Sequence, residues 1–214
     1  MKSDVQGFDI GFSSAAVIGC GCLGCNIGVH LAGAGIGKLA FCDFDTVSVS
    51  NLNRQFLYTH GDVGKPKADV MKERLEAFAP DCEILALDRK IESASDLEFA
   101  RSFDIVILAV DNASARKTVS DFCVANALPL VVGGINGSYG MAYLYIPGKS
   151  PSPEATGMCE AESGKILHVS PAAGIIGSLQ SSLAIRYLTG DGEAFAGRLF
   201  IYDNEEIKSL KIKG

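Results

Sequence analysis

The chain is 214 residues long, 48% hydrophobic and 21% charged, apolar enough for a sizeable core and too apolar for a disordered regulator. Nineteen Lys and Arg stand against 25 Asp and Glu, a net charge of −6, which lacks the positive field of a nucleic-acid binder and sets DNA and RNA aside as main partners. No apolar stretch reaches membrane-span length, and the first residues, with Asp4 and Asp9, lack a signal peptide's basic-then-apolar layout, so a cytoplasmic protein is expected.

Ala15–Ile18 reads as a short strand, followed by a glycine turn and a helical stretch over Leu23–Ala34. Lys38–Cys42 is a second strand running into Asp43. Lys67–Ala79 carries charged and apolar residues at helical spacing and stops at Pro80. Ile84–Leu87 and Asp104–Val110 are further strands, the latter continuously apolar as a strand buried on both faces must be. Ser114–Ala125 reads as helix, Leu128–Gly133 and Met141–Ile146 as strands. Residues 147–165 form a polar, Pro/Gly/Ser-rich crossover loop, of a length that is usually functional. Ser170 caps a helix with Pro171 at its first position, running through Ile175, Leu179, Leu183 and Leu188 to Gly190. Arg198–Tyr202 and Ile207–Ile212 close the chain as an antiparallel hairpin. Strand–helix alternation implies right-handed β-α-β units. The expected fold is α/β and Rossmann-like: one domain over residues 1–214, its mostly parallel sheet flanked by helices, with antiparallel C-terminal strands.

The cysteine count of seven is odd and lacks the spacing of a disulfide-stapled secreted domain. Cys42, Cys82 and Cys123 read as small core hydrophobes. Cys20, Cys22 and Cys25 fall in and beside the glycine turn, with no second cysteine pair to complete a zinc set, so no zinc is expected. His30 and His168 read as structural; His60 ends a loop near the motifs.

Chemistry concentrates early. Gly19-Cys20-Gly21-Cys22-Leu23-Gly24 is a G-x-G-x-x-G between a strand and a helix, where bare backbone and a helix N-terminus suit phosphate. Asp43 follows at the end of the second strand, placed to accept from ribose hydroxyls. Asp45, the run Ser50-Asn51-Leu52-Asn53-Arg54-Gln55, Lys67 and the pair Asp111-Asn112 add cations, amides and carboxylates at the same sheet edge. Two cations with amide donors suit a triphosphate, and a lone carboxylate suits Mg²⁺.

These residues carry a resemblance. The glycine turn, the stretch from Asp43 to Gln55 (DFDTVSVSNLNRQ), GKPKA from Gly64, AVDN ending at Asn112, PAAGIIGSLQSSLAIRYLTG from Pro171 and LFIYD ending at Asp203 resemble, in order, the ThiF/MoeB/HesA family, relatives of the ubiquitin-activating enzymes. The resemblance covers roughly residues 13 to 210. It implies an ATP- and Mg²⁺-dependent adenylyltransferase that acts on the C-terminal glycine of a ubiquitin-like sulfur carrier ending in Gly-Gly and releases pyrophosphate, working as a homodimer. By motif position, Gly19, Gly21, Cys22 and Gly24 would face ATP and Asp43 would hold the ribose. Asn51, Arg54 and Gln55 would hold the β- and γ-phosphates, with Asp45, Ser50, Leu52 and Asn53 in the same ATP-binding set. Lys67 would contact the α-phosphate and Asp111 would position Mg²⁺, with Asn112 beside the nucleotide. Arg54, Lys67 and Asp111 are thus the implied catalytic residues.

This sequence departs from the family in three places. Cys22 replaces a motif glycine, the paired C-x-x-C zinc ligands are absent, and no arginine precedes Arg54 to complete a partner's site, so that contribution is either missing or replaced by Lys2. Cys159 lies where some members place a sulfur-transfer thiol; Glu160 and Glu162 beside it would raise its pKa. Three other readings remain: a tRNA-modifying dehydratase of the same superfamily, an NAD-dependent oxidoreductase using the glycine turn, and a non-catalytic nucleotide-binding scaffold.

Overall fold

The computed structural model describes residues 9–159, 169–203 and 206–212. Lys2, Asp4, Glu160, Glu162 and His168, and the end of the crossover loop, lie outside the described residues. Strands β1 (Ser14–Ile18), β2 (Lys38–Asp43), β3 (Glu83–Asp88), β4 (Ile105–Leu108), β5 (Leu130–Asn136), β6 (Tyr139–Tyr145), β7 (Arg198–Asp203) and β8 (Glu206–Lys211) form one sheet. Its order is β3-β2-β1-β4-β5-β6-β7-β8. Neighbours from β3 to β5 are parallel and the pairs from β5 to β8 antiparallel, as expected from the sequence.

Alternate residues of each central strand feed two cores. On one face Val17, Phe41, Ile107 and Leu144 meet the helices α1 (Cys22–Gly33), α2 (Lys67–Phe78) and α4 (Ser170–Leu188). On the other, Ile18, Cys42, Leu108 and Val132 meet α3 (Ala113–Ala125) and the 3₁₀ helix Ala94–Ser102. The four residues of β4 are wholly buried, and each such aliphatic side chain contributes about 1.5–3 kcal/mol.

Several expectations shift. β4 ends at Leu108, not Val110, so Asp111 sits in a turn beyond the strand. Cys22 and Cys25 belong to α1 and not to the glycine turn; all seven cysteines are free and buried. Val169 is the N-cap of α4, with Ser170 and Pro171 inside the helix. The buried stripe of α4 runs through Ala172, Ala173, Ile176, Gly177, Gln180 and Leu183, while Ile175, Leu179 and Leu188 are only half-buried. Small residues win that face because α4 presses on α1 and β5: a Cβ on Gly177 would lie 2.6 Å from Asn26 Cβ, and one on Gly133 2.1 Å from the Gln180 side chain. β8 is exposed throughout, so its apolar residues mark an edge strand with no buried face.

Candidate active site

The cavity opens along the C-terminal edge of the parallel strands, where open α/β sheets bind ligands. It has a volume of about 570 Å³, within the range of small-molecule sites. Its floor is the glycine turn. Gly19 adopts φ +106°, and a Cβ there would stand 2.6 Å from Ala109 O; a Cβ on Gly24 would stand 2.1 Å from Gly19 O. Those two glycines let β1, β4 and α1 close on one another. Gly21 differs: its Cβ would meet only Gln55 Nε2, at 3.8 Å, so its bareness leaves space in the cavity. It is also the N-cap of α1 and offers no side-chain cap, so the helix presents its first backbone amides toward that space.

A hydrogen-bonded chain ties this turn to Lys67. The Asp43 carboxylate accepts from Cys20 N–H at 2.6 Å and from Asp45 N–H at 2.8 Å. Burial raises its pKa, offset in part by those two amides. Asp45 in turn pairs through Oδ2 with Lys67 Nζ at 2.9 Å, and its carbonyl accepts from Lys67 N–H at 2.9 Å. Lys67 opens α2 and its side chain is 6% exposed, an ammonium held against the cavity wall. Tyr58 closes the loop: its buried hydroxyl donates to Cys20 O at 2.7 Å, and burial pushes the phenol's pKa far up, keeping it a donor.

Arg54 and Gln55 come from the irregular stretch after the 3₁₀ turn Val49–Asn51, not from a helix. Arg54 Nη1 donates to Ser50 O and Asn53 Oδ1, both at 3.0 Å. Arg54 Nε and Gln55 Oε1 are buried with no hydrogen-bond partner among the described residues. Buried polar atoms left unpaired cost free energy, and both residues line the cavity, so this wall is built to receive polar groups.

Of the residues read from the sequence, Gly19, Gly21, Cys22, Asp43, Asp45, Asn51, Arg54, Gln55, Lys67, Asp111 and Asn112 line the cavity. Gly24, Ser50, Leu52 and Asn53 do not: Gly24 packs the turn, and Ser50 and Asn53 aim Arg54. Asn112 is the N-cap of α3, its Oδ1 accepting from Ser114 N–H at 2.9 Å and Ala115 N–H at 3.2 Å. His30 bonds Ser178 on α4 at 2.9 Å, a packing role, and His60 stands exposed at the start of a 3₁₀ turn. Cys159 is buried, its sulfur 3.2 Å from Ser120 Oγ. Burial, ahead of any neighbouring acid, raises its thiol pKa. Sequence reading assigned no site role to Arg89, Lys90, Arg116 and Ile135, which also line the cavity. Arg116 gave no signal, because a basic residue on a helix ordinarily faces solvent.

The ThiF family model matches residues 6–213. A sulfur carrier protein adenylyltransferase of Thermus thermophilus is 37% identical over 215 residues, covering 94% of this chain and 78% of that protein. The adenylyltransferase and sulfurtransferase MOCS3 of Aedes aegypti is 33% identical over 94% of this chain. The chain spans about half of that relative, 48% of its length. Among solved structures, E. coli MccB with ATP superposes with a TM-score of 0.86 at 23% identity, covering 95% of this chain and 64% of that one. PaaA gives 0.80 at 23% identity, covering 95% and 65%.

Proposed function

This chain belongs to the ThiF family, and we propose that it adenylates the C-terminal glycine of a ubiquitin-like sulfur carrier ending in Gly-Gly, using ATP and releasing pyrophosphate. The observation that carries this reading is one wall: Gly21, Arg54, Gln55, Lys67 and Asp111 around a single cavity, two cations and bare amides with unpaired buried polar atoms among them. A nicotinamide dinucleotide needs neither Arg54 nor Lys67. The Thermus thermophilus relative, named for adenylating a sulfur carrier, supports the substrate class.

The chemistry asks for charge compensation. A carboxylate, already ionised at neutral pH, attacks the α-phosphorus; the new acyl–phosphate bond forms as the bond to the β-phosphate oxygen breaks, and pyrophosphate leaves. Lys67, released from Asp45, would face the α-phosphate where charge builds. Arg54, Asn51 and Gln55 would hold the departing β- and γ-phosphates, and Asp43 would orient the ribose. Three carboxylates line the cavity, Asp43, Asp45 and Asp111, hard oxygen donors of the kind that suit Mg²⁺. That ion, when bound, supplies charge neutralisation across phosphate oxygens, and Asp111 would hold it. Each such preorganised group is worth about 10²–10³ in rate.

Incubation with ATP and a Gly-Gly carrier, followed by intact-mass analysis, tests this reading. An AMP adduct on the carrier's terminal glycine is expected; an adduct on no carrier, with ATP bound, sinks the reading.

A further inference from the structure

We propose that Arg116 is a positioning residue that holds the Asp111 turn and the crossover segment at Met158–Cys159 as one unit. The consequence for turnover rests on the adenylyltransferase reading; the anchoring itself does not.

Arg116 lies in the first turns of α3 with 7% exposure. Its Nε–H donates to Val110 O at 2.9 Å, the residue directly before Asp111. Its Nη1 donates to Met158 O at 3.0 Å. The guanidinium lies over Gly134 of β5, where a Cβ would stand 2.8 Å from Nη2 and 3.0 Å from Nη1. One planar group therefore joins the β4–α3 turn, the strand beside cavity-lining Ile135, and the crossover segment. α3 grips that segment a second time, four residues on, where Ser120 Oγ lies 3.2 Å from the sulfur of buried Cys159.

The geometry is specific to arginine. Its fork presents donors in fixed directions, whereas a lysine ammonium on a flexible stem can satisfy one carbonyl but cannot span both. Losing the fork leaves two carbonyls without their donor, and movement of either segment toward water relieves that cost. Movement of the Val110 side carries Asp111 with it, and a shift of about 1 Å in a catalytic group can lower turnover about 10²-fold.

The test compares Arg116→Ala, Arg116→Lys and Gly134→Ala with wild type. It reads the labelling of Cys159 by an aromatic disulfide, located by peptide mass spectrometry, and amide hydrogen exchange over residues 110–116. It also reads kcat and KM for ATP in pyrophosphate exchange. In Arg116→Ala and Gly134→Ala, labelling and hydrogen exchange should rise together, by about tenfold or more in Arg116→Ala, while kcat falls and KM for ATP stays within about twofold. Arg116→Lys should recover the melting temperature but not kcat. The proposal is overturned if labelling rises without faster exchange at 110–116, if neither changes, or if Arg116→Lys restores full turnover. Should Arg116→Ala fail to fold, the lysine and Gly134→Ala variants decide. A wild type that binds ATP but catalyses no exchange removes the adenylyltransferase reading, while labelling and hydrogen exchange still judge the anchoring.

Discussion

Lys67 and Asp45 show how a buried cation is kept neutral beside an open cavity. The ammonium is 6% exposed and the carboxylate 51%, so the charge is neutralised by a partner that remains free to turn toward solvent. On the proposed reading, a polyphosphate would replace that partner with stronger, multiply charged acceptors. Lys67→Ala, Arg54→Ala and Asp111→Ala should each lower pyrophosphate exchange about 10²-fold or more while circular dichroism stays native. The double variant Lys67→Ala/Asp111→Ala should lose far less than the product of the singles, because groups that act on one transition state are non-additive. Strict multiplicativity would mean that the two residues serve separate steps. Cys159 lies apart from this set, and its buried thiol is pushed to higher pKa. Cys159→Ser should therefore leave exchange intact, since forming an acyl-adenylate uses no thiol; loss of exchange in a folded mutant would contradict that separation.

At the scale of elements, the loop that delivers Lys67 is held by one carboxylate. Asp62 is buried and accepts from Thr59 N–H and Oγ1–H, Lys65 Nζ and Arg74 Nη2, at 2.7 to 3.0 Å. The Thr59 hydroxyl first, then its amide, Arg74 and Lys65 hold this carboxyl well below the usual range. A carboxyl whose folded pKa is depressed stabilises the fold above its unfolded value, about 4, and that contribution fades as pH falls further. Asp62→Asn should therefore melt lower than wild type at pH 7, with the gap closing as pH drops from about 4 toward 2. A gap constant across that window would show that Asp62 acts through shape alone.

The sequence made legible what obeys a period. β1, β2 and β4 are continuous apolar runs because helices cover both faces of the sheet, and α2 was visible from its charged stripe and Pro80. The 3₁₀ helix Ala94–Ser102, capped by Ser93 and Asp96, was missed, because nine residues give too little repeat to separate helix from loop. The buried face of α4 was misplaced because close approach selects Gly and Ala, which carry little hydrophobic signal. That Asp43, Asn51, Arg54, Gln55, Lys67 and Asp111 line one cavity was legible from motif spacing. Tyr58 and Arg116 were not, since Cys20 O, Val110 O and Met158 O, to which they donate, are backbone carbonyls that any sequence provides.

For the whole molecule, the mean hydropathy of +0.23 is high for a chain with 19 basic residues, and Val49, Phe56 and Val63 stand exposed. We expect a homodimer: light scattering at micromolar concentration should find twice the 22.5 kDa chain mass, and a species of 22.5 kDa alone would contradict it. No helix among the described residues is long and apolar enough to cross a membrane.

The reaction proposed for this cavity joins a carrier's carboxylate to the α-phosphate of ATP. ATP–pyrophosphate exchange with a panel of carriers ending in Gly-Gly tests it most directly, because exchange requires reversible acyl-adenylate formation and nothing downstream. Exchange should depend on one of these carriers, on Mg²⁺ and on Lys67. Binding of ATP without exchange on any carrier, or exchange that persists undiminished in Lys67→Ala, would contradict it.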